Sequence, residues 1–172
     1  QKALDEVVDW SNIWLLSLNV IKCMVLCIRR NDESINEYFI HNNGVASKLE
    51  NVNYIKDLGV IIDNKLNFNG HINDKIKKAN GMLGIIKRNF KYMDNFTFLT
   101  LYKSLVRSHL EYAGSIWSPY KKGLIESLEK VQRRATKIMS NLKYLPYEDR
   151  LKALKLPTLI YRRFRRGYAR NL

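Results

Sequence analysis

An apolar seam in the second half of the chain limits what it can fold into more than any other feature. Ile72, Ile76, Ala79, Leu83, Ile86 and Phe90 recur at steps of four and three residues, the spacing at which an α-helix returns the same face to a neighbour. Leu124, Leu128, Val131, Ala135, Ile138 and Leu142 repeat the stepping after a break at Ser118-Pro119, where proline restricts the preceding residue and interrupts the helix. Between the two seams, Asp94-Asn95 offers an N-cap to a helix running through Phe98, Leu101, Leu105 and Val106 towards Leu110. Three such helices joined by short breaks predict a small bundle. Gly81 and Gly84 each weaken the first long helix by about 1 kcal/mol and mark a candidate kink. Pro146 and Pro157 set off one short helix and a basic tail.

Upstream of Gly70 the texture differs. Residues 3–17 set Ala3, Leu4, Val7, Val8, Ile13, Leu15 and Leu16 among Asp5, Glu6 and Asp9, an amphipathic helix with acidic residues in its first turn. Residues 23–28 form a short apolar run suited to a buried strand, bounded by Asn19 and by Arg29-Arg30-Asn31-Asp32. Asn42-Asn43-Gly44, flanked by residues 38–41 and 45–49, predicts a hairpin tip, because Asn and Gly both tolerate positive φ. Residues 53–63 read as one strand, with Gly59 inside it marking a bulge or a close backbone approach. The expected fold class is therefore α+β: short antiparallel strands or a hairpin with one helix in the N-terminal part, followed by an all-helical bundle. The expected segments are 1–68, 69–145 and 146–172.

The charge is distributed unevenly between these parts. The sequence holds 30 Lys and Arg against 16 Asp and Glu, a formal net charge of +14. Residues 1–70 carry seven basic and nine acidic side chains, so residues 71–172, with twenty-three and seven, account for the whole excess. A surface this cationic repels itself unless a polyanion neutralises it. Lys75, Lys77, Lys78, Lys87, Arg88 and Lys91 lie off the first seam, and Lys130, Arg133, Arg134 and Lys137 lie off the later one. Lys130 with Arg134, and Arg133 with Lys137, are one turn apart. Ordinary solvated faces would also hold lysines and arginines, but acidic partners at i,i+4 are few here, and phosphates are the natural substitute. The tail, residues 161–170, interleaves arginines with aromatics able to stack on bases, and it is compatible with a nuclear-import signal or with a disordered end.

Other classes find little support. Cys23 and Cys27, if on one strand, lie about 13 Å apart, too far for a disulfide, so reduced thiols are expected. Together with His41, His71 and His109 they make no zinc spacing, and no metal site is assigned. No run approaches the roughly 18 apolar residues of a membrane span, and no secretory signal is present. The chain opens Gln-Lys-Ala-Leu-Asp-Glu rather than with Met, which suggests an intracellular piece of something longer, acting in the nucleus or in a cytoplasmic ribonucleoprotein.

Several blocks taken in order resemble the reverse transcriptases, RNA-directed DNA polymerases, of non-LTR retrotransposons of the LINE and jockey-like kind, just downstream of their Tyr-Ala-Asp-Asp motif. These are Asp9-Trp10-Ser11, Trp14-Leu15-Leu16 and Leu18-Asn19-Val20-Ile21-Lys22-Cys23, then Lys56-Asp57-Leu58-Gly59-Val60-Ile61-Ile62-Asp63, His71-Ile72 and Lys78-Ala79-Asn80. Leu101-Tyr102-Lys103-Ser104-Leu105-Val106-Arg107-Ser108-His109-Leu110-Glu111-Tyr112-Ala113 and Leu128-Glu129-Lys130-Val131-Gln132-Arg133-Arg134-Ala135-Thr136-Lys137 complete the set. The succession covers nearly the whole chain.

The resemblance implies that residues 1–68 are the end of a palm, carrying its fourth motif and the primer-grip hairpin, and that the helices after Gly70 are the thumb. Lys22 would stand near the incoming nucleotide and the departing pyrophosphate, where an ammonium neutralises or protonates a leaving group; in solvent at a strand's start it would be an ordinary lysine. Leu58 and Gly59 would pass close to the primer end, with Gly59 removing an obstructing side chain. Lys75, Lys78, Lys87, Arg88, Lys130, Arg133, Arg134 and Lys137 would touch the phosphates of an RNA–DNA or DNA template–primer duplex without reading sequence. Nucleotidyl transfer needs carboxylates converging on two metal ions, so two magnesium ions are expected only in a full-length enzyme. The adjacent catalytic aspartates would lie upstream with the rest of the palm and the fingers, no cofactor is expected in this piece, and it should not polymerise alone. Two other readings stay open: a stand-alone nucleic-acid-binding protein derived from such an element, and a basic helical interaction protein whose seams pair with another helix.

Overall fold

The computed structural model describes residues 1–28, 36–42 and 45–167. Arg29, Arg30, Asn31 and Asp32, the Asn43-Gly44 tip and tail residues 168–170 lie outside the described residues. The chain divides into two compact units, Gln1–Asn67 and Phe68–Leu172, and its class is α+β, with short sheets in the first unit and helices in the second.

In the first unit, helix α1 (Lys2–Ile13) is followed by β1 (Met24–Leu26), β2 (Phe39–Asn42), β3 (Val45–Lys48), β4 (Glu50–Val52), β5 (Tyr54–Asp57) and β6 (Val60–Asp63). Strands β2 and β3 pair antiparallel with Asn42 opposite Val45, the register expected around the Asn-Gly signal. Val8, Ile40 and Leu49 form the buried centre, with Leu4, Leu18, Val20 and Val25 packed against it. The Gln1 side chain acts as a substitute strand partner: its Nε2 donates to the Phe39 carbonyl at 2.6 Å, and its Oε1 accepts from the Phe39 N–H at 3.0 Å.

Three expectations for this unit need correction. The helix stops at Ile13 rather than at residue 17, and Leu15 adopts a left-handed φ of 55°. The run at residues 23–28 pairs over three residues only, parallel to β4 and with Met24 exposed, so it is not a buried strand. Residues 53–63 are two strands: β5 and β6 pair antiparallel, Asp57 opposite Val60, and the chain reverses through Leu58 (φ 43°) and Gly59 (φ 79°). Two successive positive φ values are the geometry of the mirror-image turns whose twist suits a hairpin. Asp57 and Asp63 consequently sit at opposite ends of the hairpin, and Asp63 Oδ1 accepts from the Lys65 and Asn67 N–H groups at 3.1 Å.

The second unit begins with α2 (Asn69–Asn89), unbroken through Gly81 and Gly84. Phe68, at its start, has a φ of 55°. Next come α3 (Asn95–Leu101), a π-helical turn (Tyr102–Arg107), α4 (Ser108–Glu111) and α5 (Gly114–Trp117), then α6 (Lys122–Thr136), α7 (Tyr147–Ala153) and α8 (Leu159–Arg165). Asp94 caps α3 as the sequence predicts, accepting from the Thr97 N–H at 2.9 Å. The face buried beyond it is Phe98, Tyr102, Val106 and Leu110, whereas Leu105 is exposed. A strict four-residue step drifts about 40° per step on an α-helix of 3.6 residues per turn, and one wider turn takes up that drift.

Helix α6 is the hub, packing against α2, α7 and α8. Of the seam expected for it, Leu128, Val131 and Ala135 are buried, but Leu124 is only half-buried and the helix ends at Thr136, before Ile138 and Leu142; Ile125, Glu129 and Gln132 are buried as well. Glu129 accepts from the Tyr147 hydroxyl through Oε1 and from the Leu159 N–H at 2.9 Å through Oε2. Gln132 Oε1 accepts from the Tyr102 hydroxyl at 2.5 Å, while its Nε2 donates to Tyr147 Oη and to the Pro157 carbonyl, both at 3.0 Å. Burial pushes both tyrosine hydroxyls above their ordinary range, so they remain donors. The segment after Pro146 is thereby tied into the bundle rather than standing apart.

Two outcomes follow from this packing. Glu129→Leu strands the Leu159 N–H and the Tyr147 hydroxyl in the interior and should cost about 3 kcal/mol of unfolding free energy in denaturant titration; a loss within 0.5 kcal/mol would show the network to be dispensable. His71 is fully buried against Trp117, ring centroids 5.2 Å apart, and burial, with Lys75 adding to it, lowers its pKa from 6.5 to about 4. The unfolded chain therefore binds the extra proton, and stability should fall as pH drops from 6.5 towards 4. That slope should shrink in His71→Phe, and identical slopes in the two proteins would exclude the assignment.

Candidate functional site

The cations of the second unit are arranged by the rotation of α2 and α6 about their axes. Once the apolar seams meet, Lys87 on α2 and Arg134 and Lys137 on α6 face a groove of about 620 Å³, joined by Lys143 from the following turn. Asn80, Leu83, Gly84, Ile138 and Ser140 complete its lining. The floor is mixed apolar and small, the rim is cationic, and no carboxylate lines it. Among the described residues none of these four cations forms a salt bridge.

Asn80 orients the groove. Its Nδ2 donates to the Ile76 carbonyl at 3.0 Å, which directs Oδ1 towards Arg134, and Arg134 Nη1 donates to that oxygen at 2.9 Å. The guanidinium is held across the α2–α6 junction with donors to spare. A second hollow of about 230 Å³ shares Asn80 and Arg134 and adds Ser127 and Lys130. The two form one cationic strip along the junction. From Lys130 to Lys137 it extends about 10 Å at 1.5 Å per residue.

The other expected contact residues are placed differently. Lys75 does not lie on an exposed face: it is 7% exposed, with Nζ 4.8 Å from the centre of the Tyr112 ring, because its helical position falls beside the buried His71 and Ile72. Lys78 is paired with Asp74 at 2.7 Å, and that bond lowers the Asp74 pKa. Lys130 has a loose partner in Glu126 at 3.9 Å, both exposed, a pair of little energetic weight. Arg133 points away from the groove and lies over the Tyr147 ring at 5.0 Å. Arg88 is exposed and lines neither hollow. In the first unit, Lys22 ends a short 3₁₀ turn (Val20–Lys22) and is exposed, and Leu58 and Gly59 form the β5–β6 reversal.

Sequence reasoning missed Asn80, Ser140 and Lys143 as lining residues. Asn80 had a signal, a polar side chain beside the seam one residue after Ala79. Lys143 and Ser140 had none, because they follow the last turn of α6, where helical periodicity no longer predicts direction.

Chemically, four cations and several small polar groups with no carboxylate can hold consecutive phosphates of a polyanion. No cluster of three or more His, Cys, Asp or Glu exists among the described residues, and no described helix is long and apolar enough to cross a membrane. Compared with known proteins, the chain matches no family model, no curated protein and no solved structure.

Gly84 lines this groove, and a Cβ built there or at Gly81 meets nothing within 4 Å. Gly81→Ala and Gly84→Ala should each raise the stability of the helical unit by about 0.5–1 kcal/mol. Thermal melts checking this should shift upward for both, and a fall at either position would mean that the helix needs the glycine.

Proposed function

We propose that this chain is the end of the palm and the thumb of a non-LTR retrotransposon reverse transcriptase, and that it grips the backbone of a template–primer duplex without reading its sequence. The observation that carries this reading is the carboxylate-free groove between α2 and α6, rimmed by Lys87, Arg134, Lys137 and Lys143. Phosphate oxygens are the acceptors such a rim lacks, and backbone contacts supply affinity without specificity. The order of sequence blocks from Asp9 to Lys137 supports the family. The β5–β6 reversal at Leu58 and Gly59 suits a primer-grip hairpin, since it presents main chain at the tip of a tight turn. Exposed Lys22 suits a cation near a departing pyrophosphate once the remaining active site surrounds it. The role proposed is grip, not polymerisation, because the carboxylates for two-metal chemistry would have to come from elsewhere.

A second reading, a helical interaction protein, draws on a different observation: Trp10, Ile13, Trp14, Leu15, Leu16 and Ile21 are all more than half exposed, and clustered apolar exposure marks contact surfaces.

Salt dependence separates the two. Four phosphate contacts predict that log K for duplex DNA falls against log salt concentration with a slope of about −3 to −4. Lys87→Gln, Arg134→Gln and Lys137→Gln should each reduce the magnitude of that slope by about 1, while Lys78→Gln, whose ammonium is already paired, changes it less. Affinity insensitive to salt and to all three substitutions would favour the interaction protein.

A further inference from the structure

A second cationic cluster, separate from the groove, is organised by one carboxylate. Arg162 reaches both oxygens of Glu111, Nε to Oε1 at 2.5 Å and Nη2 to Oε2 at 3.1 Å. Arg166 Nη1 lies 3.2 Å from Oε2, and Arg107 Nε 3.7 Å from the same atom. Glu111 is therefore outnumbered three to one. Burial, followed by the neighbouring Arg162, holds Arg107 below the ordinary arginine range, while the bond to Glu111 raises Arg162.

Arg162 and Arg166 also line a cleft of about 270 Å³, together with Pro157, Tyr161 and Arg165. Arg165 forms no salt bridge with any described carboxylate, and Tyr161 is 55% exposed. Glu111 thus immobilises two guanidiniums that face the cleft, so less side-chain freedom is lost when a ligand arrives.

We propose that this cleft seats a phosphomonoester, the terminal phosphate of a nucleotide or of a nucleic-acid strand, held by Arg162, Arg165 and Arg166 with Tyr161 against the attached sugar or base. A phosphomonoester carries about −1.5 to −2 charges near neutral pH, close to the excess of two positive charges around Glu111, whereas each diester of a strand interior brings one. Guanidinium forks match its oxygens in pairs. The cleft is under half the volume of the groove, which suits one terminal group better than a run of backbone.

The test uses the full chain. Binding of a 12-nucleotide single strand is measured with and without a terminal phosphate, at the 5′ and at the 3′ end, alongside binding of adenosine 5′-monophosphate. Arg165→Gln and Arg166→Gln remove the seat. Arg165 has no tie to Glu111, so Arg165→Gln leaves the cluster intact, and circular dichroism checks that it does. The wild-type protein should prefer one phosphorylated end by about tenfold, and both variants should lose the preference while keeping their affinity for the unphosphorylated strand. Adenosine monophosphate binding that Arg165→Gln weakens, with no preference among strand ends, would identify a free nucleotide as the ligand. No terminal-phosphate preference and no monophosphate binding at millimolar concentration overturns the proposal, as does a preference that survives both substitutions. Lys137→Gln in the groove serves as control: it weakens phosphorylated and unphosphorylated strands alike, so failure of the groove and failure of this cleft are told apart.

Discussion

The helical unit depends on a polar node that has no place in a simple hydrophobic bundle. Glu129 and Gln132, one turn apart on the buried side of α6, receive or give hydrogen bonds to Tyr102, Tyr147, Pro157 and Leu159. Apolar contact alone is indifferent to small rotations of one helix on another. A buried carboxylate and amide are not, since each unmade bond carries a desolvation penalty. The node therefore fixes which side of α6 faces α7 and α8, and by subtraction which side faces α2.

The groove is the product of that subtraction. With Glu129 and Gln132 turned inward, Arg134 and Lys137 emerge on the opposite flank beside Asn80 and Lys87, while Arg133 turns to the Tyr147 side. Two adjacent arginines in the sequence thus serve different surfaces. The geometry of the charged rim is set by residues that never touch it.

The α2 and α6 seams and the Asp94 cap were legible in the sequence, because helical period and capping are local properties carried by residue type. The β5–β6 reversal was not legible from residue pattern, only implied by the resemblance: Leu58 is a poor candidate for positive φ, and Gly59 between Leu58 and the apolar residues 60–62 reads as a bulge in one strand. Lys75 was misjudged because its long aliphatic stem allows a nominally charged position to lie under the Tyr112 ring. Glu129 and Gln132 escaped notice because a polar residue off the seam looks solvated until its partners, 15 to 30 residues away, are brought to it. Of the rim, Lys87, Arg134 and Lys137 could be read from helical faces. Lys143 comes from the turn after α6, whose direction only tertiary packing decides.

Arg150 closes the carboxy-terminal end of α6, its Nη1 donating at 2.9 Å to the Arg133 carbonyl and to Thr136 Oγ1. This end also carries Arg133, Arg134 and Lys137, so four cations collect at the negative pole of one helix. The aligned peptide dipoles there give each of them about 0.3–1 kcal/mol of attraction. Backbone partial charge thus offsets part of their mutual repulsion, a task that acidic side chains would otherwise perform while competing with any incoming anion. The helix supplies counter-charge that cannot dissociate or fold over the rim, and Arg134 and Lys137 remain available to whatever docks.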